Sequence, residues 1–151
     1  MKLSSQKTVD APISDVFAAI SDFDEFEAML SERGTKIERC GDIAPPSVGA
    51  EWTARFKWHD RPYDVRAELI SVDPGQGYAI ESKGNGLVCM AVVDLQAMST
   101  SQTRLFVSFD FMAMTFASKL LLQTLRLTGS SLNRRLDKRV AAYTSKITRS
   151  A

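Results

Sequence analysis

The side chains able to do chemistry are few and scattered. The chain holds one histidine, His59, and two cysteines, Cys40 and Cys89, with no group of His, Cys, Asp or Glu at metal-ligand spacing. His59 falls at a hairpin tip, where an imidazole is usually solvated, and Cys89 lies in mid-strand with no base in view, where a thiol is inert. Both cysteines read as free thiols of a reducing compartment. Tyr63, Tyr78 and Ser82 either orient a ligand through their hydroxyls or sit as amphipathic core residues. Gly84-Asn85-Gly86 is a turn and not a phosphate loop. The expectation is therefore no catalytic residue, no metal and no cofactor.

The elements that position these residues follow from periodicity. Lys2 to Val9 alternates weakly as a first strand. Asp10-Ala11-Pro12 opens a short helix with Pro12 at its first position, and Asp22 with Glu25 forms a capping box for a second helix reaching Leu30. Thr35 to Cys40 is a second strand, and the loop Gly41 to Gly49, with Pro45-Pro46, is placed across a pocket mouth. From Ala50 onward the period is two. Trp52, Phe56, Tyr63, Val65, Ala67, Leu69, Tyr78, Ile80, Cys89, Ala91, Val93, Leu105, Val107, Phe109 and Phe111 then share an inward phase. Glu51, Glu68, Glu81, Asp94 and Asp110 fall on the opposite phase, which reads as a solvated outer face. Leu87 to Met98 and Gln102 to Met114 are the last strands.

From about Thr115 to Ile147 one long helix is expected. Leu121, Leu125, Leu132, Leu136, Val140, Tyr143 and Ile147 form its apolar stripe. Gly129 interrupts that stripe where a Leu is expected, and glycine inside a helix costs about 1 kcal/mol against alanine. Its small size leaves room between helix and sheet. Phe116, Leu120 and Leu127 lie on the other side of the helix, and Val88, Met90, Val92, Phe106 and Met112 on the outer phase of the last strands. Such surfaces suggest a protein contact, a homodimer first.

The 151 residues make one domain, with 44% apolar and 25% charged residues. The net charge is +1, but from Thr115 onward eight Lys and Arg face the single Asp137. That basic face suits the helix dipole beside an acidic sheet, or meets anionic lipid or RNA. No signal peptide or bilayer-spanning run is read, so a cytoplasmic protein is expected.

Val9 to Phe26, V-D-A-P-I-S-D-V-F-A-A-I-S-D-F-D-E-F, resembles the opening of the START-like, or helix-grip (SRPBCC), superfamily, within its polyketide cyclase/dehydrase and lipid-transport group. Val48-Gly49-Ala50-Glu51-Trp52, the Leu69 to Gly77 segment with Asp73-Pro74, and Thr103-Arg104-Leu105 match the same habits, over nearly the whole chain. The resemblance implies an α+β helix-grip fold: a seven-stranded antiparallel sheet wrapped around a long C-terminal helix, with two short helices after the first strand. It also implies an internal cavity for lipids, sterols, quinones, polyketides or aromatic metabolites, with no shared catalytic residue.

The leading expectation is thus a binding or carrier protein for a small hydrophobic ligand, held by Trp52, Phe56, Tyr63, Tyr78, Phe109, Phe111, Leu125, Gly129 and Leu132, with access near Pro45-Pro46. One alternative is a polyketide cyclase or dehydratase with Tyr63, Tyr78 or His59 handling protons. Another is an interaction module whose basic helix docks on a membrane or ribosomal RNA, although the basic face lacks interleaved aromatics for nucleic acid.

Overall fold

The computed structural model describes residues 1–58 and 60–150, the side chains of 149 and 150 excepted. Seven antiparallel strands form one sheet in the order β1-β7-β6-β5-β4-β3-β2. They are β1 (Lys2–Val9), β2 (Lys36–Cys40), β3 (Glu51–Trp58), β4 (Arg61–Asp73), β5 (Gly77–Gly84), β6 (Leu87–Ala97) and β7 (Thr103–Ala113). Helices α1 (Ile13–Ile20) and α2 (Phe23–Glu32) join β1 to β2, and α3 (Phe116–Arg126) and α4 (Gly129–Ser150) follow β7.

Local chemistry accounts for the joints. Asp22 accepts the Glu25 N–H at 3.2 Å and starts α2 as its carboxylate suggests. Pro12 caps α1 from just outside it, rather than being its first residue. Asn85 and Gly86 both take positive φ, the geometry a two-residue hairpin between β5 and β6 demands.

The C-terminal segment departs from the single helix that periodicity suggests. It breaks at Leu127–Thr128, where the Thr128 hydroxyl donates to Leu125 O at 3.1 Å. Gly129 therefore opens α4 and interrupts no helix. A capping box in which Thr115 and Ser118 satisfy each other's backbone N–H starts α3.

The buried core gathers toward the end of the sheet where β1 passes into α1. Val9, Val16, Ile20, Leu69, Leu95 and Leu105 meet Val140 and Ile147 from α4 there. α4 packs along β1, and Asn133 Oδ1 accepts the Ser4 N–H on that edge strand at 3.0 Å. Across the sheet, Arg39 on β2 binds Asp24 and Glu27 of α2, fixing that helix over the other edge.

Candidate functional site

Register brings the inward residues into rows. One row runs Phe111, Cys89, Ser82, Ala67 and Trp52 across five strands; the next runs Phe109, Ala91, Ile80 and Leu69. Phe56 lies opposite Tyr63, and their rings stack at 5.5 Å with planes 12° apart. The alternation read from the sequence therefore holds along these rows, and a bulge between Leu69 and Ser71 breaks it farther along β4.

These residues divide by packing. Trp52 is 4% exposed and sits in the core against Phe23, ring centroids 5.3 Å apart. Its indole N–H is buried without a hydrogen-bond partner among the described residues. Tyr78 is also buried against Phe23, at 5.2 Å, and its hydroxyl donates to Ile20 O at 2.6 Å. That phenol is a structural pin and is spent. Trp52 and Tyr78 thus form the floor of the inner face.

Phe56, Phe109 and Phe111 are only half-buried and stand outside the packed core, as do Leu125 on α3 and Leu132 on α4. Tyr63 is buried by its aromatic neighbours Phe56 and Trp58. A Cβ built at Gly129 would meet nothing within 4 Å. The inner face thus has a close-packed end and an end whose large apolar side chains stay half-buried. The Pro45-Pro46 loop belongs to the packed end, because Gly49 N donates to Leu69 O and Ala50 is buried beside it.

The electrostatics of this face are sparse. Burial, with the Asp110 carboxylate adding to it, pushes the Cys89 thiol up to about 11. Desolvation holds the Tyr78 phenol well above its ordinary range. The outer phase carries the ion pairs Arg66–Glu51 at 2.8 Å and Arg55–Asp64 at 2.7 Å, and the Arg66 hydrogen bond lowers the Glu51 carboxyl. No metal-binding group of His, Cys, Asp and Glu exists among the described residues. His59 lies outside the described residues, so of the three proton handlers only the Tyr63 hydroxyl stands on the inner phase without a described protein partner.

Sequence reading missed two cations on the inward phase. Lys7 is half-buried on β1 opposite Leu105, and Arg39 lies opposite Trp52. The signal for Lys7 was the alternation Leu3, Ser5, Lys7, Val9, in which a Lys takes an apolar position. Two open depressions lie elsewhere. One of about 430 Å³ is bounded by Lys2, Gln6, Phe106 and Asp137, and one of about 500 Å³ by Asp15, Glu25, Tyr143 and Lys146 between α1, α2 and α4.

No family model and no curated protein matches this sequence. Solved structures do match it. TTHA0849 from Thermus thermophilus superposes with a TM-score of 0.70 at 11% identity, over 100% of this chain and 99% of that one. The ZhuI aromatase/cyclase from Streptomyces sp. R1128 gives 0.70 at 12%, over 99% and 94%. Norcoclaurine synthase from Thalictrum flavum, in complex with a transition-state analogue, gives 0.68 at 15%, over 97% and 93%. At these identities the likeness is one of architecture: the chain has the helix-grip, START-like fold. Fold alone assigns no activity.

Proposed function

We propose that the chain binds and carries a small, uncharged hydrophobic molecule, a lipid, quinone, polyketide or aromatic metabolite, between the sheet and the α3–α4 joint. The observation that carries this reading is the set of half-buried inward side chains, Phe56, Phe109, Phe111, Leu125 and Leu132, which point to the inner side without joining the core. A sheet normally buries such residues fully, so their incomplete packing suits a guest that completes it. About 200 Å² of apolar ligand surface buried there would be worth roughly 5 kcal/mol without any charged contact. The open space beside Gly129 and the Tyr63 hydroxyl support the reading as a source of volume and of one hydrogen bond.

The test is native mass spectrometry of freshly purified protein, followed by extraction and identification of the bound molecule. A co-purifying neutral apolar compound, displaced when Phe109 or Phe111 is changed to Ala, supports the reading and gives the ligand class. Protein that purifies empty and takes up none of a panel of lipids, quinones and aromatic ketones overturns it.

A second reading, catalysis on a polyketide-like substrate, draws on Tyr63 as a phenol within the inner face and on the aromatase/cyclase named among the structural neighbours. Tyr63→Phe separates the two: a carrier retains most of its affinity, whereas an enzyme dependent on that proton loses turnover.

A further inference from the structure

We propose that the outer face of α3 docks on an anionic membrane surface. The observation is an apolar stripe left in solvent: Phe116 is 78% exposed, Leu120 50% and Leu127 86%. Their spacing places them on one side of the helix, opposite the buried Ser118 and Leu122. Met114, 67% exposed, extends the stripe along the approach to the helix.

Charge selects the occupant. Between Asp110 and Asp137 the sequence has no carboxylate and four basic residues, Lys119, Arg126, Arg134 and Arg135. All four are exposed, and none pairs with a carboxylate among the described residues. Lys119 and Arg126 run along one flank of the stripe. Apolar side chains beside unneutralised cations are complementary to the boundary between acyl chains and acidic headgroups. A second copy of the chain fits less well, because a symmetric contact would set the same cations against each other. RNA would draw the charges but gains nothing from burying leucines. No described helix is long and apolar enough to cross a membrane, so the contact is one of lying on the surface.

The contact is independent of the ligand-binding reading. The test is flotation of the wild-type chain, with and without delipidation, on phosphatidylcholine vesicles containing or lacking phosphatidylglycerol, alongside size-exclusion chromatography. Binding to phosphatidylglycerol vesicles alone, weakened by salt and unaffected by delipidation, is expected. Phe116→Ser/Leu120→Ser/Leu127→Ser should weaken it by about tenfold or more, since each CH₂ removed from the acyl region is felt. Lys119→Glu/Arg126→Glu should abolish both binding and its salt dependence. Wild-type protein that stays unbound overturns the proposal. So does a serine variant that binds as wild type, or a wild-type dimer that ignores vesicles and dissociates on serine substitution.

Discussion

The Tyr78 hydroxyl donates to the Ile20 carbonyl at 2.6 Å, tying β5 to the last residue of α1 across the packed end of the sheet. Tyr78→Phe leaves that carbonyl unpaired, and a loss of about 1–3 kcal/mol in urea unfolding is expected with ligand affinity unchanged. The phenols of Tyr78, buried, and Tyr143, half-buried, are both held protonated above their ordinary value of 10.0, so above that pH unfolding releases their protons. Their contribution to stability is therefore intact below pH 10 and is lost as the pH climbs beyond it, at about 1.4 kcal/mol per unit for Tyr78 and less for the more exposed Tyr143. Tyr78→Phe should remove its share of that slope.

Packing predicts unequal costs for similar truncations. Leu105 is fully buried, so Leu105→Ala should cost about 2–5 kcal/mol. Phe111, half-buried and outside the core, should cost less than the roughly 3 kcal/mol of a core phenylalanine while lowering affinity for an apolar ligand. Denaturant curves and ligand titrations on the same two variants decide it; an equal cost at both positions would show that the inner face is uniformly filled.

Gly129→Leu places a side chain where nothing lies within 4 Å. Because Gly129 is the first residue of α4, the helix should tolerate it with little change from propensity, and thermal unfolding should stay near wild type. Ligand affinity should fall. If affinity is unchanged, the space beside Gly129 lies outside the binding site.

Cys89 gives a probe of the same face. Its thiol, pushed up to about 11, is almost wholly protonated at neutral pH, and the thiolate is the form that reacts. Alkylation of Cys89, followed by peptide mass mapping, should be slow at pH 7 and accelerate up to about pH 11. Bound ligand should slow it further, because Cys89 lies between Ser82 and Phe111 in one inward row. Rapid labelling at pH 7 would contradict both burial and the site.

The strands after Ala50 were legible because their alternation runs on between turn signals, as Asn85-Gly86 shows. Which inward residues would be buried was not. Trp52 and Phe56 read identically in sequence, but Phe23 arrives over Trp52 from α2, whereas among the described residues the aromatic ring on Phe56 is that of Tyr63 from the adjacent strand. That difference is tertiary and leaves no local trace. The break at Leu127–Thr128 was hidden because apolar spacing continues through it; the Thr128 hydroxyl that ends α3 is an ordinary residue until its acceptor is known. Lys7 was hidden for the opposite reason, a polar residue on an apolar phase, made tolerable by partial exposure and the length of its own stem.

The contact of Asn133 with Ser4 bears on what happens if α4 leaves its place. A row of free N–H and C=O groups along β1 would then be presented to any extended chain nearby, with the rest of the seven-stranded sheet already stacked behind it. The five-residue β2, carrying Lys36 and Glu38, is a poor template by comparison. Displacement of the last helix would therefore open the core that Val140 and Ile147 close and, at the same time, offer β1 for chain-to-chain strand addition.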